Sequence, residues 1–169
     1  MLSKFNNNFI YLTLEDFCEN CPIKIKHVRS NIKFWNKWLG INEFDIEFLK
    51  ETFADYNNKI YICCDSNKDI QSIAIYNNYQ DLFYNLILLA KKHNSNYKWL
   101  GKKILRELNK KLINNKNNIR FIVLTDVSDI PNYYKRLGFS LTNNKYLRKL
   151  LDNFEDDLYV IEIESENFI

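Results

Sequence analysis

Leu86-Ile87-Leu88-Leu89-Ala90, then Asn96-Tyr97-Lys98-Trp99-Leu100-Gly101-Lys102-Lys103-Ile104-Leu105, pairs a fully apolar segment with the start of an amphipathic one. Five consecutive apolar residues leave no polar face, as in a central strand covered on both sides. The second segment opens a helix. Leu100, Ile104, Leu108 and Leu112 recur at four-residue steps, with Leu105 and Ile113 beside them. Lys102, Lys103, Arg106, Glu107, Lys110 and Lys111 cover the solvated side. Arg120-Phe121-Ile122-Val123-Leu124 is apolar again, and a parallel strand following a crossover helix fits it. Pro131-Asn132-Tyr133-Tyr134-Lys135-Arg136-Leu137-Gly138-Phe139 reads as a short helix, with Pro131 in its first turn, Ser128 or Asp129 as its cap and Gly138 as its stop.

Outward from this centre, residues 9–17 alternate and predict a first strand. After Pro22, apolar residues at mixed three- and four-residue spacing predict a helix up to Leu39, stopped by Gly40. A second helix is expected over about Glu43 to Asn57, with Phe44, Ile46, Phe48, Leu49, Phe53 and Tyr56 as its apolar set, read as core. Lys59–Asp65 and Asp69–Tyr76 predict a hairpin through Ser66-Asn67-Lys68. The central strand starts at Asp81. Beyond the short helix, a strand is expected near Asn144–Leu150, an acidic loop over Asp152–Asp157, and a last strand over Leu158–Ile163. No repeat or linker interrupts the chain, so a single α/β domain over 1–169 is expected.

Composition narrows the class. With 46% apolar and 27% charged residues in 169, the chain can bury a core and is not of the disordered type. A net charge of +3 neither demands nor forbids a nucleic-acid partner. Five apolar residues in a row fall far short of the roughly 20 that span a membrane. The N-terminus lacks the apolar run of a signal peptide, so a cytoplasmic location and no membrane association are expected. Cys18 and Cys21 form a C-x-x-C with His27 nearby, while Cys63 and Cys64 adjoin within a strand. Paired metal-ligand spacing is missing, so free thiols are the expected state and no metal site is assigned; zinc or redox chemistry is the alternative.

The order β–α–α–β–β–β–α–β–α–β–β, together with the central motif, resembles the GNAT N-acetyltransferase superfamily. In that family an apolar strand leads through five residues into Gln/Arg-x-x-Gly-x-Gly/Ala at a helix start. Here Leu89-Ala90 is followed by 91–95, and the six positions fall on Asn96 to Gly101 without a gap. Tyr133-Tyr134-Lys135-Arg136-Leu137-Gly138-Phe139 is similar to the family's second signature. Asn132 to Lys149 also faintly resembles the acetyltransferase domain of the Elongator catalytic subunit, where the corresponding end is a strand.

The resemblance implies a GNAT fold: a mixed, mostly antiparallel central sheet of six to seven strands with about four helices on both faces. It implies an acetyl-CoA-dependent N-acetyltransferase that passes acetyl to a primary amine by direct attack in a ternary complex. Leu89, Ala90, Lys91, Asn96, Tyr97, Lys98, Trp99, Leu100, Gly101, Lys102 and Lys103 would bind the cofactor, and Tyr134 would protonate the leaving thiolate. An oxyanion would meet a backbone N–H near Lys91, and Asp81 or Asp126 is the candidate base. The acceptor is an amine on a small molecule or protein, with RNA less supported, and the chain would be a monomer or homodimer.

Physics supports the loop independently. A helix start offers unpaired N–H groups and partial positive charge to a pyrophosphate. Lys102 and Lys103 oppose the helix dipole there, at about 0.3–1 kcal/mol each, and a local rule broken at a helix start often marks a functional site. Three departures stand out. Asn96 replaces Gln/Arg, Trp99 replaces the first glycine, and Val127 stands where the second motif has Asn. The alternative is a catalytically inactive GNAT-fold protein that acts through a protein or RNA partner.

Overall fold

A computed structural model of the chain describes residues 8–40, 45–114, 119–124, 131–141, 145, 147, 149 and 159–163. The expected cap residues Ser128 and Asp129, with Asp126, Val127, Phe44 and the loop 152–157, lie outside these. Among the described residues seven strands form one sheet in the order β1-β2-β3-β4-β5-β7-β6. They are β1 Ile10–Thr13, β2 Lys59–Cys64, β3 Ile70–Tyr79, β4 Phe83–Lys91, β5 Phe121–Leu124, β6 Ser140–Leu141 and β7 Tyr159–Glu162. The helices are α1 Leu14–Phe17, α2 Pro22–Ser30, α3 Ile32–Leu39, α4 Ile46–Ala54, α5 Leu100–Ile113 and α6 Pro131–Arg136. β4 and β5 run parallel, as the crossover helix demands, while β1–β2, β5–β7 and β6–β7 are antiparallel. This is the expected mixed sheet at the upper strand number.

Helices exceed the expected four, because capping side chains end segments that periodicity alone runs together. The first strand stops at Thr13, whose Oγ1 accepts from Asp16 N–H at 3.2 Å and starts α1. The single helix expected from Pro22 to Leu39 breaks at Asn31. Its Oδ1 accepts from Phe34 N–H at 3.2 Å, and its ψ of 68° leaves the helical range. Asp45 caps α4 in the same way, accepting from Glu47 N–H at 2.7 Å, so that helix starts later than expected. The strand expected over 144–150 is also overturned: Lys145, Leu147 and Lys149 are helical.

The chain divides into two compact units, Met1–Ile75 with Leu88–Ile104, and Tyr76–Ile87 with Leu105–Ile169. In the first, β2 is buried from Ile60 to Cys64 and β3 from Ile70 to Ile75. Trp35 is fully buried, stacks on Phe53 at 4.7 Å and donates its indole N–H to Val28 O. Burying such a side chain contributes about 1.5–3 kcal/mol. Of the described apolar set assigned to α4, only Leu49 and Phe53 are buried. Ile46, Phe48 and Tyr56 are partly exposed, and the Tyr56 ring lies 4.6 Å from the Arg29 guanidinium, beyond the end of the helix. Arg29 is the buried exception to the rule that arginine stays wet. Its guanidinium donates to Phe53 O, Asp55 O and Asn58 O at 3.1, 3.1 and 2.8 Å, fastening α2 to the end of α4.

In the second unit, Phe83, Val123, Leu147 and Val160 form a core edged by Tyr79, Leu82 and Phe121. β4 pairs with β5 through Tyr84↔Ile122, Asn85↔Val123 and Leu86↔Leu124. Leu105, Leu108 and Leu112 of α5 are buried here, as Leu100 and Ile104 are in the first unit, so the four-residue apolar stripe is the buried face.

Candidate functional site

The first unit brings the expected loop residues together. β4 ends with Leu89 and Ala90 half-buried and Lys91 exposed, and its next amide, Lys92 N–H, donates to Gln71 O at 2.8 Å. His93 N–H donates to Trp38 O at 2.7 Å. Gly40 lies against this point with φ +96°, and a Cβ there would stand 2.6 Å from His93 Nδ1, so glycine is needed for contact as well as for conformation. Ser95 Oγ donates to Gln71 Oε1 at 3.0 Å and accepts from Tyr97 N–H at 3.4 Å.

α5 follows at once. Trp99 holds φ +63°, the left-handed region a glycine would take without strain, while its side chain is 70% exposed. A left-handed backbone that favours glycine is thus held by a tryptophan whose indole is largely exposed. The first intrahelical bond runs from Lys103 N–H to Trp99 O at 2.9 Å. By helix geometry the amides of Leu100, Gly101 and Lys102 have no acceptor within the helix. No carboxylate lies in the first turn to compete for them.

The cations divide. Lys98 and Lys102 are exposed beside the helix start. Lys103 instead sets its ammonium 4.7 Å from the Phe9 ring centre, and Phe9 packs edge-on against Tyr97 at 4.9 Å. Asn96 is exposed and Gly101 half-buried. Among the described residues the set suits a pyrophosphate: amides with no acceptor in the helix, the exposed ammonium groups of Lys98 and Lys102, and no carboxylate in the first helical turn.

Tyr134 belongs to the second unit. α6 ends in a paired cap: Phe139 N–H donates to Tyr134 O at 3.1 Å and Gly138 N–H to Lys135 O at 3.1 Å, with Gly138 at φ +104°. Tyr134 is half-buried, edge-on to Tyr133 at 5.2 Å and to Phe139 at 6.0 Å. Burial, with Tyr133 beside it, pushes its phenol above the ordinary value.

Asp81 lies in the β3–β4 turn, where its carboxylate accepts from Asn78 Nδ2 at 2.7 Å. It stands at the opening of β4, and Leu89–Lys91 form that strand's other end. All four cysteines are free thiols, and burial pushes Cys64 up to about 12. Among the described residues no group of three or more His, Cys, Asp or Glu is placed to hold a metal ion, and no helix is long and apolar enough to cross a membrane. Sequence reasoning missed Gln71 and Ser95. The signal for Gln71 was a glutamine inside the apolar run Ile70–Tyr76, where a buried polar side chain needs a partner; Ser95, in the polar loop after β4, gave none.

No protein-family model matches the chain, and no curated protein matches it in sequence. Solved structures do. Tetrahymena GCN5 aligns with a TM-score of 0.70 at 13% identity, over 96% of this chain and 99% of that one. The catalytic domain of Tetrahymena GCN5 histone acetyltransferase in complex with coenzyme A gives 0.59 at 17%, over 98% of each. YhbS, a GNAT-family N-acetyltransferase from Escherichia coli in complex with CoA, gives 0.61 at 12%, over 94% and 83%. At such identities the likeness is one of fold, and the chain has the GNAT fold.

Proposed function

We propose that this chain is an acetyl-CoA-dependent N-acetyltransferase acting on a primary amine. The observation that carries the reading is the start of α5. Three amides with no acceptor within the helix, flanked by Lys98 and Lys102, open the helix that comes after β4 and its loop, in a fold whose similar structures include two solved in complex with coenzyme A. The amides of Leu100 to Lys102 would hold the pyrophosphate of the acetyl donor, and the helix dipole favours that charge.

Transfer requires the amine nitrogen to bond to the thioester carbonyl carbon while the carbon–sulfur bond breaks, its electron pair going to sulfur. Tyr134 Oη gives its proton to that thiolate and regains one from water, and the amine's surplus proton also goes to water. With its pKa raised by burial the phenol is protonated at neutral pH, so it is in the donor form this role needs.

One observation favours a second reading, a GNAT-fold protein that is catalytically silent and acts through a protein or RNA partner. β4, Phe83–Lys91, carries no carboxylate that could take the amine proton. The experiment is titration of coenzyme A by calorimetry, followed by thiol release from acetyl-CoA with a panel of primary amines. Binding and amine-dependent thiol release are expected, and Gly101→Glu should abolish both by placing bulk and negative charge at the helix start. Binding with no release for any amine would favour the silent reading. Unaltered binding by Gly101→Glu would remove the loop as the site.

A further inference from the structure

We propose that Gln71 is a positioning residue for the cofactor loop, acting through Ser95. The inference rests on the reading of that loop given above. Gln71 is only 5% exposed on β3, yet three of its polar groups are engaged. Nε2 donates to Asp65 Oδ2 at 2.9 Å, Oε1 accepts from Ser95 Oγ at 3.0 Å, and the carbonyl accepts from Lys92 N–H at 2.8 Å.

The directions of these bonds follow from one another. A carboxylate only accepts, so Asp65 fixes the amide nitrogen of Gln71 toward itself and leaves Oε1 facing the loop. Asp65 is itself set by the amides of Asn67 and Asp69, which donate to Oδ1 at 2.9 and 3.0 Å. A hydroxyl has one proton, and Ser95 spends it on Gln71 Oε1. Its lone pairs are thereby turned to the N–H of Tyr97. The β2–β3 turn thus dictates the polarity of the loop that delivers the chain to Trp99 and α5. His93 N–H on Trp38 O ties the same loop from α3.

A loop held in this way has little ordering left to do when an anion arrives, and preorganisation of this kind appears as affinity. The test is coenzyme A titration and acetyl-CoA kinetics on Gln71→Met, Ser95→Ala, Ser95→Thr and the Gln71→Met/Ser95→Ala pair. Each of the first two should weaken coenzyme A binding about three- to tenfold, the typical weight of one hydrogen bond. KM for acetyl-CoA should rise in step, with kcat within about twofold. The double variant should be little worse than either single one, because both break the same chain of bonds. Ser95→Thr, which keeps the hydroxyl, should restore binding.

Gln71→Met also strips a partner from buried Asp65, so Ser95→Ala carries the test if the former does not fold. A purely stabilising role would lower the unfolding midpoint and leave affinity alone. Unchanged affinity in Ser95→Ala, or additive losses in the pair, would overturn the inference while wild-type binding leaves the function standing. Absence of binding by the wild type would instead remove the function, and this inference with it.

Discussion

Tyr134 is held by two aromatic edges and by the cap that closes α6, so its phenol has a defined environment. Tyr134→Phe keeps that packing and removes only the hydroxyl. Turnover should fall at least about tenfold with coenzyme A affinity little changed; unaltered turnover would take Tyr134 out of the chemistry. The pH dependence has a definite sign. The folded pKa lies above the model-compound value of 10.0, so the phenol's contribution to stability is complete below about pH 10 and is lost as pH rises through the folded value. The phenylalanine variant should lack that alkaline loss in unfolding titrations. At this scale the sequence was legible for Gly138, the expected helix stop, which ends α6 at φ +104°. Trp99 was not legible. Spacing shows that the glycine is missing, but only φ +63° with a 70% exposed side chain shows how a tryptophan keeps the turn. Gln71 was equally hidden, since its two side-chain partners lie six and 24 residues away.

Elements were legible where periodicity is long and uniform. The α5 stripe, the apolar strand before it and the parallel strand after it all follow from spacing, because a right-handed crossover leaves few alternatives. Breaks were not, because one side-chain oxygen decides them: Thr13 and Asn31 each divert the backbone with a single hydrogen bond. The helical Lys145, Leu147 and Lys149 also part from the strand expected over Asn144–Leu150, since a short stretch of mixed pattern fits either period. Gly138 tests the element that carries the phenol. It ends α6 at φ +104°, and a Cβ there would meet Ile161 Cδ1 at 3.1 Å. Gly138→Ala should cost about 1–2 kcal/mol, the penalty of a left-handed non-glycine residue. Urea unfolding should show a lowered midpoint with an unchanged slope; an unmoved midpoint would mean that the cap is dispensable.

For the chain as a whole, a net charge of +3 leaves two kinds of anionic ligand to separate. Coenzyme A carries few phosphates, and a pyrophosphate seated on backbone amides is held largely by directed hydrogen bonds. A nucleic acid laid along Lys98, Lys102 and Lys111 would instead be held by released counterions. Its affinity would then fall about 10³–10⁵-fold between 50 and 200 mM salt for 6–10 phosphate contacts. α5 argues against a continuous basic stripe, since Lys110 pairs with Glu107 at 2.9 Å and Lys103 turns to Phe9. The discriminating measurement is thermal unfolding with acetyl-CoA at both salt concentrations. A ligand at 100 times its Kd adds about 2.7 kcal/mol, which for a chain of this length raises the midpoint by roughly 5–10 °C. The rise should persist in 200 mM salt. A rise that vanishes with salt would mean that the lysines act as a diffuse counter-charge, and no rise at either concentration would mean that Trp99 shuts the helix start to pyrophosphate.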